Sequence, residues 1–117
     1  MEITDKRVVV TGAASGIGKA LVHAFKEAGA GAVVAVDINA EGVEQAAQEI
    51  GGLAIAANVA NEEDIQKVIQ EANDYAGGID IFCSNAGIAG VPGFIEMETS
   101  DWQNIWEINV MSHIFAA

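Results

Sequence analysis

The sequence has 117 residues, a length that suits one domain with a single core. Its net charge is −12, and fourteen of its seventeen acidic residues follow position 36, against one of its five basic residues. Such a surface repels nucleic-acid phosphates and anionic lipids, which argues against nucleic-acid and membrane partners, and the most economical interpretation is a solvated acidic shell. With a single cysteine, no apolar run of roughly 20 residues and no secretory signal at the start, the sequence predicts a cytoplasmic protein.

Short β-branched runs alternate with helical stretches along the chain. The predicted strands are residues 7–11, 32–36, 53–57 and 79–83. The predicted helices are residues 16 to about 28, the stretch from the cap Asn39 to about Ile50, the stretch from the cap Asn61 to Gly77, and a last helix from Thr99 or Ser100 to the chain end, after a glycine-rich loop. This alternation predicts a parallel, Rossmann-like doubly wound α/β sheet in the order 3-2-1-4, with the whole chain as one half-domain.

Apolar spacing predicts which helix faces pack on the sheet. In the first helix this face comprises Ile17, Leu21, Ala24, Phe25 and Ala28. In the third it comprises Ile65, Val68, Ile69 and Ala72, and in the last helix Trp102, Ile105, Trp106, Asn109, His113 and Ala116.

The sharpest local motif is Thr-Gly-Ala-Ala-Ser-Gly-Ile-Gly at residues 11–18, which follows a buried strand and opens a helix. Gly12 allows the chain to leave the strand sharply, Gly16 allows the backbone to approach a pyrophosphate, and Gly18 allows the helix to press on the sheet. The free N–H groups of the helix start would then face the phosphates. By itself the motif leaves a purely structural glycine turn open.

Asp37 favours the nucleotide-binding interpretation. It ends the second strand, 19 residues after Gly18, where a carboxylate meets the ribose hydroxyls of an adenosine. A carboxylate there repels a 2′-phosphate, and neither Ser15 nor Ile38 is a basic residue that would attract one. The sequence therefore predicts NAD(H) rather than NADP(H) as the cofactor.

The Thr-Gly-x-x-x-Gly-Ile-Gly spacing resembles the short-chain dehydrogenase/reductase family, and the resemblance spans the whole chain. Asn58-Val59 lies where that family usually has Asp-Val beside the adenine ring, and residues 84–87, Ser-Asn-Ala-Gly, resemble its Asn-Asn-Ala-Gly stretch. The resemblance and the motifs together imply a cofactor site made of Gly12, Ser15, Gly16, Ile17, Gly18, Asp37, Ile38, Asn58, Val59, Asn85, Ala86 and Gly87.

Asn109 is the one catalytic candidate. The family resemblance implies that it helps to hold a water that relays protons to the catalytic lysine, whereas the residues alone favour a core asparagine bonded to backbone. We interpret His113 as structural and Cys83 as a small core residue, and neither Cys83 nor His23 has the spacing of a metal site, so no metal is expected.

The family's catalytic serine and its Tyr-x-x-x-Lys have no counterpart in these 117 residues. The one tyrosine, Tyr75, is followed four positions later by Ile79, and no lysine follows Lys67. We therefore expect the N-terminal half of an NAD-dependent alcohol/ketone oxidoreductase, inactive alone, and a dimer formed through strand residues 79–82 or the last helix. The alternative is a naturally short nucleotide-binding or scaffold protein without catalysis, and a methyltransferase is disfavoured by the glycine spacing.

Overall fold

The computed structural model describes residues 1–88 and 96–117, so residues 89–95 of the expected glycine-rich loop lie outside the described part of the chain. Strands and helices alternate as the sequence predicts. The elements are β1 (Arg7–Thr11), α1 (Gly16–Glu27), β2 (Ala32–Asp37), α2 (Ala40–Ile50), β3 (Leu53–Ala56), α3 (Glu62–Ala76), β4 (Ile81–Cys83), α4 (Thr99–Trp106), a π-helical segment (Glu107–Met111) and α5 (Ser112–Ala116).

The four strands form one parallel sheet in the order β3-β2-β1-β4, which confirms the predicted topology. β1 is central, and Val9 lies in register with Val34 of β2 and Phe82 of β4. Side chains of β1 alternate between the two faces, and both faces are buried. Val8 and Val10 pack with α1 and α2, whereas Val9 packs in the cluster that includes α3.

Sequence signals for the ends of α2 and α3 are confirmed. The Asn39 Oδ1 accepts a 3.0 Å hydrogen bond from the Gly42 amide, and the Asn61 Oδ1 accepts one of 3.2 Å from the Asp64 amide. Gly51 and Gly77 follow these helices in the left-handed conformation, which only glycine adopts without strain.

The predicted inner face of α1 is right for Leu21 and Phe25, which are half-buried and pack against the core, but not for its other members. Gly18 and Val22 are the buried residues of this helix, while Ile17 is 74% exposed and Ala24 and Ala28 also face solvent. The cause is the contact of Gly18 with the backbone of Gly12, because a Cβ on Gly18 would collide with the Gly12 carbonyl group. This close approach fixes the rotation of the helix, a constraint that apolar spacing does not contain.

β4 begins at Ile81, two residues later than predicted. Just before it, the Asp80 carboxylate accepts a 2.8 Å hydrogen bond from the backbone N–H of Arg7 and also binds the Arg7 guanidinium. The Asp80 N–H still donates to the Arg7 carbonyl oxygen at 2.9 Å, but the Arg7 N–H binds the Asp80 side chain and not the backbone, so regular strand pairing begins only at Val8 and Ile81.

The last helix is not one regular α-helix. A π-helical segment separates α4 from α5 and has more residues per turn, which rotates the residues that follow it. Trp102 and Trp106, which precede this segment, and His113, which follows it, are exposed, contrary to the predicted inner face, whereas Ile105, Asn109 and Ala116 are half-buried. Ser112 is buried, and its hydroxyl donates to the Ile108 carbonyl oxygen. Among residues 1–88 and 96–117, no helix is long and apolar enough to cross a bilayer.

Candidate functional site

A cleft of about 410 Å³ lies beyond the carboxyl ends of the parallel strands. This is the edge at which doubly wound sheets bind their ligands. Every residue predicted from the sequence to contact the cofactor lines the cleft except Gly16, which is exposed beside it. Three apolar residues that the sequence does not predict, because they belong to no motif, also line the cleft: Ala57, Ile88 and Ile108.

The glycine turn forms the floor of the cleft. Gly12 has a φ of +70°, and a Cβ there would lie 2.9 Å from the Ala86 Cα, so the position has no room for a side chain. Gly16 also has a positive φ, +57°, but a Cβ on it would meet nothing within 4 Å. The turn is thus closely packed on its inner side and open on the side where α1 begins.

The N-terminus of α1 is open to an anion. Its cap, Ser15, is exposed, and in the part of the chain that the structure describes its hydroxyl makes no capping hydrogen bond. The first turn of α1 contains no acidic side chain. The partial positive charge of the helix end is therefore not offset by a carboxylate of its own, which suits a phosphate group.

Thr11 connects the glycine turn to the loop after β4. Its buried Oγ1 accepts hydrogen bonds from the amides of Asn85, at 3.0 Å, and Ala86, at 3.1 Å. The Asn85 Nδ2 donates in return to the Thr11 carbonyl oxygen at 3.1 Å. The glycine motif gives Thr11 no role of its own, although a threonine at the end of a buried central strand indicates a hydroxyl that needs hydrogen-bond partners.

Asp37 is held rigidly beside the cleft. One carboxylate oxygen accepts a 3.0 Å hydrogen bond from the Ala14 amide, and the other accepts one of 3.0 Å from the Asn39 amide. Each oxygen of an ionised carboxylate can accept about two hydrogen bonds, so one acceptor position per oxygen remains for a ligand hydroxyl. Next to it Ile38 is 70% exposed and presents an apolar wall to the cleft.

Asn58 and Val59 lie at the β3 side of the cleft. Val59 is buried, whereas Asn58 is exposed. The Asn58 amide N–H donates to Asp64 Oδ2 at 2.8 Å, and its side-chain Oδ1 accepts from the Ala60 amide at 3.0 Å. This loop is therefore fixed by hydrogen bonds to the first turn of α3.

Asn109 lies in the π-helical segment and does not line the cleft. Its Oδ1 accepts from the Ile88 N–H at 2.8 Å, and its Nδ2 donates to the Ile88 carbonyl oxygen at 2.8 Å. Both ends of the side-chain amide thus bind the backbone of a residue that lines the cleft, as expected for an asparagine bonded to backbone, but Asn109 is only half-buried. The catalytic role of Asn109 stays a prediction.

The other titratable side chains considered from the sequence, His23 and Cys83, do not line the cleft. His23 contacts Glu49 at 2.8 Å between α1 and α2, and this hydrogen bond holds the pKa of the Glu49 carboxyl below its usual value. Partial burial raises the pKa of the Cys83 thiol, which keeps it protonated at neutral pH. In residues 1–88 and 96–117 no group of histidine, cysteine and acidic side chains is arranged to hold a metal ion.

Comparisons with known proteins agree with this geometry. An NAD-dependent glycerol dehydrogenase of Listeria innocua is 38% identical over 98% of this chain and 46% of its own length. A 1-deoxy-11-beta-hydroxypentalenate dehydrogenase of Streptomyces exfoliatus is 34% identical over 100% of this chain and 45% of its own. The chain thus spans about half the length of the curated relatives that it matches.

Solved structures also resemble this chain in fold and sequence. The crystal structure of a 3-ketoacyl-(acyl-carrier-protein) reductase from Brucella melitensis, complexed with NADH, superposes with a TM-score of 0.94 at 33% identity, over 97% of this chain and 48% of the other. The short chain dehydrogenase family profile matches residues 6–117. Because its glycine turn, its sheet order and these matches all agree, the chain belongs to the short-chain dehydrogenase/reductase family.

Proposed function

We propose that this chain is the NAD(H)-binding portion of an oxidoreductase that interconverts an alcohol and a ketone. Family membership supports this proposal, as do two relatives, one an NAD-dependent glycerol dehydrogenase and the other a reductase crystallised with NADH. Bound at the cleft, a nicotinamide dinucleotide would supply the hydride acceptor or donor of the reaction.

The single observation that carries the proposal is the pairing of an open helix N-terminus with a fixed carboxylate in one cleft. The α1 end provides free N–H groups and a positive partial charge for the pyrophosphate. The two oxygens of Asp37, each held by one backbone amide, retain acceptor positions for the two ribose hydroxyls. A 2′-phosphate would instead face a negative charge that cannot turn away, and we therefore propose NAD(H) over NADP(H).

The apolar wall residues have a role in the same binding mode. Ile17 and Ile38 are large, exposed side chains that line the cleft. The flat, partly apolar rings of a nucleotide bind favourably against such side chains, because the contact removes apolar surface from water. We propose that both pack against the nucleotide.

We further propose that these 117 residues do not turn over substrate by themselves. Tyr75 lies on α3, and the residue four positions later is Ile79, so it cannot serve as the tyrosine of a Tyr-x-x-x-Lys pair. Without a phenol whose pKa is lowered by a neighbouring cation, proton transfer at the substrate oxygen lacks its donor. We also propose a cytoplasmic location, which suits the free Cys83, and self-association through β4 or the last helix.

Cofactor selection is tested by calorimetric titration with NADH and NADPH. We expect NADH to bind about 10- to 100-fold more tightly, which corresponds to the worth of hydrogen bonds to a charged group. Asp37→Ala should reduce the ratio to about threefold or less, mainly by improving NADPH binding. Glu44→Ala removes an equal charge from the exposed surface of α2 and should leave the ratio unchanged. Equal binding of both cofactors before mutation would contradict the role of Asp37.

A further inference from the structure

A second groove, of about 400 Å³, lies between α2 and β3, the strand at one edge of the sheet. Its lining residues recur with the helical period on α2, where they include Val43, Glu44 and Ala47. On β3 they recur with a period of two and include Ala54 and Ala56. None of them lines the cleft at the carboxyl ends of the strands, so the groove is a separate surface.

The outer side of β3 presents backbone groups to this groove. On its inner side β3 pairs with β2, and just beyond it the Ala57 N–H donates to the Asp37 carbonyl oxygen at 3.1 Å. Because the backbone groups of successive residues point to opposite sides of a strand, those of Ala54 and Ala56 face outward. No strand within residues 1–88 and 96–117 pairs with this outer side. Two N–H and two C=O groups thus have the arrangement that a further strand needs.

The sequence of β3 does not protect its edge. Edge strands commonly carry a lysine, a proline or an inward-pointing charge that prevents pairing with another strand. β3 is Leu-Ala-Ile-Ala, without a charge or a proline. The side chains of Ala54 and Ala56 are also small, so the groove beside them stays open. A strand added at this edge would direct every second side chain into the groove.

The charge around the groove favours a basic occupant. Glu44 lines the groove, is exposed, and forms no ion pair in the part of the chain that the structure describes. Positions 27–66, which include β2, α2 and β3, contain eight acidic residues and no lysine, arginine or histidine. A lysine or arginine side chain could lay its aliphatic stem over Ala47 and bring its charged end to Glu44. An acidic segment would be repelled.

We propose that the outer edge of β3 is a docking site for an extended basic peptide segment of another protein, which adds a strand beside β3. Backbone hydrogen bonds to Ala54 and Ala56 fix the segment, and its alternate lysine or arginine side chains enter the groove toward Glu44. In this mode of recognition the main-chain pairing supplies affinity, and the pocket for alternate side chains supplies selectivity. Docking here does not require the proposed cofactor, because the groove and the cleft share no lining residue.

Fluorescence anisotropy with a short labelled peptide of alternating lysine and valine tests this docking site on the unmodified chain. We expect saturable binding at physiological salt, and at least about tenfold weaker binding when glutamate replaces lysine in the peptide. Amide hydrogen exchange locates the contact. With the basic peptide bound, the N–H groups of Ala54 and Ala56 should exchange at least about tenfold more slowly, whereas those of β4 should not change.

Two substitutions separate backbone pairing from charge. Ala56→Pro removes an outward N–H and keeps the pairing with β2, because proline is tolerated where an edge strand faces solvent, and it should weaken binding of the basic peptide at least about tenfold. Glu44→Gln should weaken this binding about two- to fivefold, the worth of one exposed ion pair. Glu41→Gln removes the same charge from α2 at a position that does not line the groove, and it should change Kd by less than about twofold.

Equal binding of the acidic and basic peptides would overturn this inference, as would slower exchange at β4 instead of at Ala54 and Ala56. Equal effects of Glu44→Gln and Glu41→Gln would also overturn it, because only the overall charge would then attract the peptide. If Ala56→Pro converts a self-associated chain to a monomer in static light scattering, the occupant of this edge is a second copy and the proposed partner is wrong. The cofactor proposal is unaffected by each of these outcomes, since calorimetry with NADH tests it separately.

Discussion

Gly18 illustrates how a single residue can set the geometry of a binding site. Its missing Cβ allows α1 to approach the Gly12 carbonyl and the Asn85 side chain. This contact points the helix N-terminus at the cleft and, as a consequence, turns Ile17 toward solvent. The glycine spacing predicts the close approach, but the helix rotation that follows requires knowledge of what the glycine touches.

Replacement of Gly18 by alanine should therefore destabilise the fold. The added methyl group would overlap backbone atoms of Gly12, which cannot rotate away as a flexible side chain would. We expect a loss of about 1–3 kcal/mol in the free energy of unfolding, the usual cost of overpacking, measured by urea denaturation. Ala20→Ser, at an exposed position of the same helix, should change this free energy by no more than about 0.5 kcal/mol. Equal stability of the Gly18→Ala variant would contradict the packing role.

At the scale of single elements, hydrogen bonds from side chains to backbone groups set where helices and strands begin. The caps at Asn39 and Asn61 are local features, so the sequence predicts the starts of α2 and α3 correctly. The start of β4 depends instead on Asp80, which contacts Arg7 across 73 positions of sequence. The Arg7 guanidinium and N–H hold the pKa of the Asp80 carboxyl well below its usual range, and the same pair raises the pKa of Arg7.

Acid should weaken this connection between β1 and β4. Because the pKa of Asp80 is lowered in the folded chain, its stabilising contribution is complete above the unfolded value of about 4 and is lost as the pH falls toward the folded value. We expect the unmodified chain to be more stable than Asp80→Asn at pH 7, with the difference shrinking below about pH 4. Denaturation series at several pH values measure this difference, and Asp5→Asn is the control for the loss of one exposed charge. A difference that stays constant down to pH 2 would show that the ion pair does not contribute.

At the scale of the whole molecule, the described residues leave the outer edge of β4 and one partly apolar helix surface uncovered. β4 pairs only with β1 among the strands that the structure describes, so its other edge has unpaired backbone groups. The last helix exposes Trp106 at 53% and Ile114 at 58%. The high negative charge opposes association at low salt, but the apolar surfaces favour it.

We therefore expect a dimer or a larger assembly at micromolar concentration and physiological salt, measured by static light scattering. Trp106→Ser should shift the average mass toward the monomer if the last helix forms the contact, whereas Tyr75→Ser, which removes an equally exposed aromatic ring from α3, should not. An unmodified chain that remains monomeric across this concentration range would contradict the prediction.

The alternation of strands and helices, the sheet order, the glycine turn and the carboxylate at the end of β2 all follow from the sequence by itself. Each of these features depends on a local sequence pattern or on the general handedness of βαβ connections. None of them requires knowledge of contacts between distant residues. Tertiary structure alone decided the rotation of α1, the late start of β4, the exposed tryptophans of α4, the π-helical segment and the fixed orientation of the Asn58 amide. The reason is physical: each results from atoms that meet only after the chain has folded, as when Gly18 reaches Gly12 or the Ala60 amide binds Asn58.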